Sequence, residues 1–217
     1  DRFDEIRDAY SEFAARLNVK DIHFIPMSAL RGENVVHRGE SMPWFQGSPL
    51  LDHLENVHVA SDRNLVDLRF PVQNVLRPNL DFRGYAGTLA SGVVRVGDEV
   101  TALPSGKTSK VKTIETFDGK LDVAFAPMAV VLTLEDEIDI SRGDMIATPN
   151  NAPSLANNVE AMVVWFDEKP LTSGQSFLIK QASAQTSTTV ADLRYRTNVG
   201  TLRRESAPQL SMNEVGR

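Results

Sequence analysis

FPVQNVLRPNLDFRGYAGTLASGVVRVGDEVTALPSG, residues 70–106, decides the fold class. Short runs containing β-branched and aromatic residues are interrupted every few positions by Gly, Pro, Asn and Asp, the residues that let a chain turn with least strain. The same grammar continues to residue 148, and the spacing predicts strands near 67–76, 85–91, 98–103, 109–117, 121–126, 128–134 and 144–148. Short strands so closely spaced form a barrel or a sandwich, and closing a barrel removes the exposed edges. A loop of Pro, Asn and Ser at 149–157 then leads to a second β region, with strands expected near 158–166, 175–182 and 186–196. That region is short for a complete barrel.

Upstream of residue 60 the pattern differs. Phe3, Ile6, Tyr10, Phe13, Ala14 and Leu17 recur at three- and four-residue spacing among charged residues, which predicts an amphipathic helix over 1–17. Residues 21–27, DIHFIPM, form an apolar run suited to a buried strand. Helix, strand and the polar turn at Ser28-Ala29-Leu30 read as the end of an α/β domain. Ser48 and Pro49 are placed to cap and begin a second helix, whose apolar face is Leu50, Leu51, Leu54 and Val57. The expected organisation is therefore an α/β end over 1–60, a β-barrel over 61–150 and a partial barrel over 151–217. Asp1 opens directly into helical periodicity with no initiator methionine, so a piece of a longer protein is expected.

Composition narrows the functional classes. The 217 residues carry 23 Lys+Arg and 29 Asp+Glu, a net charge of −6, with the basic residues scattered, which argues against a nucleic-acid partner. The absence of cysteine removes disulfides, thiolate zinc sites and cysteine nucleophiles, and fits a cytoplasmic location. No apolar run approaches the ~20 residues that span a bilayer, and residues 1–20 are charged throughout, so no membrane partner is expected.

Several strings mimic chemical motifs. Gly106-Lys107-Thr108 resembles the end of a phosphate-binding loop, but the first glycine of such a loop would stand where Thr101 is, and the flanks read as strands. It reads as a hairpin turn. Asp81-Phe82-Arg83-Gly84 fits a loose γ-phosphate-sensing pattern and reads as a strand connection, while Arg142-Gly143-Asp144 reads as a turn into the last barrel strand. The histidines at 23, 37, 53 and 58 have no metal-binding spacing, and the carboxylates of Glu135-Asp136-Glu137-Ile138-Asp139 read as a solvated loop. The residues alone supply no complete catalytic constellation.

Ser28-Ala29-Leu30 after an apolar run, then Gly32-Glu33-Asn34-Val35 and the stretch from Met42 to Leu51, resemble the close of a GTPase domain of the elongation-factor class. Residues 70–106, above all Arg77-Pro78-Asn79 through Ala90-Ser91-Gly92, resemble the GTP-binding large-subunit family of sulfate adenylyltransferase more than a translation factor. Thr116-Phe117-Asp118-Gly119, Asp136 through Asp144, Val164 through Asp167 and Pro170-Leu171 extend the resemblance. It implies a mainly β piece: the end of a P-loop GTPase domain, then an elongation-factor-like barrel and part of a second.

The resemblance also implies a parent enzyme that binds GTP and Mg and pairs with a small catalytic adenylyltransferase subunit, coupling GTP hydrolysis to synthesis of adenylyl sulfate from ATP and sulfate. Ser28, Ala29 and Leu30 become the guanine-binding residues, with no catalytic residue and no metal ligand in the chain. The phosphate loop and the Asn-Lys-x-Asp motif are absent from these 217 residues. The chain alone is accordingly expected to bind no GTP and to be inactive. A translation elongation factor or related tRNA-binding GTPase is the alternative, disfavoured by the net charge and by residues 77–92.

Overall fold

The computed structural model describes residues 2–17, 19, 21–58, 63–79 and 81–217. The chain divides into two compact units, Asp1–Asp62 and Arg63–Arg217. The expected boundary near 60 falls within residues 59–62, outside the described residues.

In the first unit, α1 spans Arg2–Ala14, with Asp4 and Glu5 in its first turn, where the helix dipole favours negative charge. Its apolar stripe packs through aromatic contacts: Phe3 lies 5.2 Å from the Trp44 ring and Tyr10 meets Phe24 edge-on at 5.9 Å. Ala14 is fully buried. Residues 21–27 do not form the expected strand. Extended chain becomes a strand only with a ladder partner, and the bridges in this unit, among the described residues, are Ser28 with Glu33 and Glu33 with His37. Helix α2, Leu50–Asn56, starts one residue later than the sequence suggests, with Pro49 at the cap position and no side-chain cap from Ser48. The helix's first donors go elsewhere, Leu50 N–H to the Asn34 carbonyl and Leu51 N–H to the Val35 carbonyl, both at 2.9 Å.

The second unit is β throughout apart from a short 3₁₀ turn at Pro149–Asn151. Nine strands form its first part: β1 Arg69–Leu76, β2 Gly84–Thr88, β3 Val93–Arg95, β4 Glu99–Leu103, β5 Lys107–Thr116, β6 Gly119–Leu121, β7 Val123–Phe125, β8 Ala129–Leu134 and β9 Met145–Ala147. Seven of them pair in the order β4-β9-β1-β2-β8-β5-β6, all antiparallel, and a further β4–β5 ladder closes the sheet on itself. β3 and β7 make a separate ribbon. Alternate residues point inward, so Phe70, Val72, Tyr85, Val100, Ala102, Val111, Ile114, Leu132 and Ile146 fill one buried core. Irregularities at Val72/Asn74 and Val111/Thr113 bend β1 and β5 to follow the curvature.

The remaining strands are short: β10 Val163–Val164, β11 Leu171–Thr172, β12 Ser176–Gln181, β13 Ala184–Thr189, β14 Arg196–Thr197, β15 Arg204–Glu205, β16 Gln209–Leu210 and β17 Val215–Gly216. They form a β10-β17-β14-β15 sheet and the ribbons β11–β16 and β12–β13. The strand expected over 158–166 shrinks to two residues, and that expected over 186–196 ends at Thr189. In this part the buried apolar side chains among the described residues are Leu171 and Leu210. Arg196 sits between Glu205 at 2.8 Å and Glu214 at 2.6 Å and organises the four-stranded sheet. The turn joining β12 to β13 meets the barrel at Gly143, where an added Cβ would lie 3.4 Å from the Ala184 Cα.

Candidate functional site

The strings that mimic motifs resolve into turns and strands. Gly106, at φ +72°, donates its N–H to the Ala102 carbonyl at 2.7 Å and closes the β4–β5 hairpin, with Lys107 and Thr108 as the first residues of β5. No helix follows to offer its N-terminus to a phosphate. Asp81-Phe82-Arg83-Gly84 joins β1 to β2, and Arg83 pairs with Asp139 at 3.0 Å while its guanidinium lies 5.7 Å from the centre of the Tyr85 ring. Gly143, at φ +100°, hydrogen-bonds Val72 across the loop entering β9, and Asp144 accepts the Ser141 N–H. In the acidic run, Asp136 bonds Ser109 through both its carboxylate and its N–H. His23 and His53 bring their rings within 4.6 Å, a contact between residues 30 apart that sequence spacing does not reveal. Among the described residues no three acidic or imidazole side chains form a metal cluster.

The turn at Ser28, Ala29 and Leu30 is built differently. Ser28 donates its N–H to the Glu33 carbonyl at 3.1 Å, and its hydroxyl accepts the Arg31 N–H at 3.4 Å. These two bonds fix both ends of a tight loop whose reversal passes through Gly32 at φ +71°. Ala29 and Leu30 form its exposed tip, Leu30 being 97% accessible. Among the described residues neither the Ala29 nor the Leu30 N–H donates to any acceptor in the chain. Two successive backbone donors on a braced, exposed turn can hold one planar acceptor such as a carbonyl oxygen.

The brace extends behind the turn. Glu33 accepts the Ser41 hydroxyl at 2.5 Å and the Ser41 N–H at 3.2 Å. The Ser41 hydroxyl holds the Glu33 carboxyl below the usual carboxylate range. Gly39 must be small, since a Cβ there would come within 2.6 Å of the Glu33 Cβ. Asn34 is 1% exposed and left-handed at φ 57°, a conformation that asparagine tolerates better than most residues. Its amide donates to the Pro26 carbonyl at 2.8 Å and its side-chain oxygen accepts the Gly39 N–H at 2.8 Å. Its own N–H reaches the His37 carbonyl at 2.9 Å. Sequence reading missed Asn34, because an asparagine two residues after a glycine in a polar loop looks like any turn residue.

No helix among the described residues is long and apolar enough to cross a membrane.

Comparison with known proteins supplies the context. Residues 158–217 match the model of the GTP-eEF1A C-terminal domain-like family. The chain is 54% identical over all 217 residues to sulfate adenylyltransferase subunit 1 of Bacteroides fragilis, covering 46% of that protein. It is also 54% identical over its full length to the bifunctional enzyme CysN/CysC of Rhodopirellula baltica, covering 34% of it. The subunit 1 of Teredinibacter turnerae is 51% identical over 99% of the chain and 46% of the relative. The chain thus spans less than half the length of these curated relatives. Among solved structures, Sup35 complexed with GDP aligns over 99% of this chain and 55% of that one, with a TM-score of 0.58 at 19% identity. Elongation factor SelB of Methanococcus maripaludis aligns over 77% of this chain and 35% of that one, with a TM-score of 0.51 at 19% identity. These two likenesses carry the fold: a mainly β chain of elongation-factor type.

Proposed function

We propose that this chain, homologous along its whole length to sulfate adenylyltransferase subunit 1, is the base-contacting edge and coupling portion of a GTPase subunit of that enzyme. In this reading residues 1–60 close the GTPase domain, 61–150 form the first elongation-factor-like barrel and 151–217 belong to the second. The parent binds GTP with Mg and works in the cytoplasm beside a small catalytic subunit, with no nucleic-acid partner. That subunit joins sulfate to the α-phosphoryl group of ATP, releasing pyrophosphate. Adenylyl transfer to sulfate is unfavourable, so GTP must bias a bistable assembly: nucleotide favours one conformation, and its hydrolysis releases that bias.

The observation that carries the proposal is 54% identity over an alignment of all 217 residues, where the translation factors of similar fold reach 19%. Ala29 and Leu30 fit this role because their free N–H groups can meet the guanine carbonyl oxygen. Ser28 holds the turn in shape. The chain itself performs no hydrolysis, since its 217 residues contain neither a phosphate loop nor an Asn-Lys-x-Asp motif. A pull-down comparing the small adenylyltransferase subunit with aminoacyl-tRNA tests the reading. Retention of the subunit is expected, and retention of the tRNA instead would reverse it. Tight, magnesium-dependent GTP binding by the 217-residue chain alone would refute its inactivity.

A further inference from the structure

We infer that Asn34 is the positioning residue of the guanine-facing turn, tying it to the start of α2; this rests on the base-site reading above. Asn34 joins three backbone segments that share no sheet. Its amide fixes Pro26, two residues before Ser28, its side-chain oxygen fixes Gly39, and its carbonyl receives the first N–H of α2 from Leu50. Glu33, its neighbour, closes the turn by accepting from Ser28.

The burial of the group sharpens its role. A side-chain amide that is 1% exposed cannot exchange these partners for water, so losing any of them leaves an unsatisfied polar group. Its left-handed backbone further restricts replacements to glycine and, with more strain, Asp. Besides the bonds of Ser28 and Glu33, the turn that presents the Ala29 and Leu30 donors is therefore tied from behind by the Asn34 side chain. The same side chain ties that turn to α2, after which the chain runs on to the β unit.

The test uses the full-length protein that carries this region, with N34G, which preserves the backbone conformation, and N34D, which preserves shape. Binding is measured for GTP, for inosine triphosphate, which keeps the ring carbonyl, and for 2-aminopurine riboside triphosphate, which lacks it. In N34G the preference for GTP over the 2-aminopurine nucleotide is expected to fall about tenfold, the equivalent of one hydrogen bond, while the preference for GTP over inosine triphosphate stays as in wild type. N34D is expected to recover guanine affinity as pH falls, because a protonated carboxyl can again donate to Pro26. A general loss of folding would lower all three affinities together and overturn the assignment, as would unchanged selectivity in N34G. A wild-type protein with no preference for the ring carbonyl would refute the base-site reading itself, and the role of Asn34 with it.

Discussion

Replacing Tyr85 by Phe removes one buried oxygen where the loop after β8 meets the barrel and separates two effects. Tyr85 is 1% exposed, and its hydroxyl donates to the Ile138 carbonyl at 2.8 Å, pinning the loop after β8 onto the core. Ile138 and Ile140 on that loop are only 4% and 1% exposed, so in Y85F water cannot readily replace the lost donor at the Ile138 carbonyl. A lost hydrogen bond of this kind, leaving a buried acceptor unpaired, costs about 1–2 kcal/mol. For a unit the size of Arg63–Arg217 that corresponds to a drop in Tm of about 2–8 °C. Burial also raises the Tyr85 pKa above its ordinary value of 10.0. The folded state thus holds the phenolic proton more tightly than the unfolded chain does. This stabilisation is complete below about pH 10 and is lost as pH rises through the raised folded pKa. Urea unfolding of wild type and Y85F at pH 7 and across pH 9–11 should show both: a gap at neutral pH, and one that narrows in alkali. A difference below about 0.3 kcal/mol at pH 7, or parallel decline of the two proteins above pH 10, would refute the assignment of that hydroxyl.

Acid should act on the chain entering the barrel, where the Asp67 carboxylate accepts from Asn64 at 2.6 Å and from Asn151, and both amides hold its pKa below the ordinary value. Its contribution is present above about pH 4 and lost as pH falls through the depressed folded pKa, so D67N should flatten the Tm-against-pH curve below pH 4, whereas an unchanged curve would contradict the clamp. L132A empties a fully buried position between β2 and β5 and should cost about 2–5 kcal/mol in urea denaturation; a loss under 1 kcal/mol would mean the barrel core is misassigned. Amides of β12 and β13, a ribbon paired only with itself, should exchange with deuterium faster than those of β1, β2 and β8. Equal protection in the monomer would show that this ribbon is covered.

The mainly β character and the resemblance carried by residues 70–106 were legible because antiparallel strands advertise themselves twice, by alternation and by turn residues. β5 shows the mechanism: Ser109 and Val111 are buried at alternate positions, and the bulge then shifts the phase so that Ile114 faces inward. Where strands are three residues long the alternation is brief, and of the four such strands β9, announced by the turn at Arg142-Gly143-Asp144, was the one expected by itself. β3 went unforeseen, and β6 and β7 merged into one expected strand across Asp122, whose carbonyl in fact turns to meet the Val96 N–H. Residues 21–27 have a strand's composition without a ladder partner, and strand formation depends on that partner. Start signals for α2 misled for a related reason, since Ser48 and Pro49 are local features and the actual acceptors, Asn34 and Val35, lie some fifteen residues away. Asn34 falls within the stretch that carries the resemblance, but its part as a hub of backbone contacts could not be read there, because such a hub is a property of the folded loop.

The coupling role is tested most directly by adenylyl sulfate formation in the full-length protein reconstituted with the small catalytic subunit, with ATP, sulfate and Mg, and with either GTP or a non-hydrolysable GTP analogue. The expected result is that adenylyl sulfate rises above the level set by the ATP–sulfate equilibrium only while GTP is being hydrolysed, and returns to that level with the analogue. An identical yield with GTP, with the analogue and with no guanine nucleotide would contradict the account.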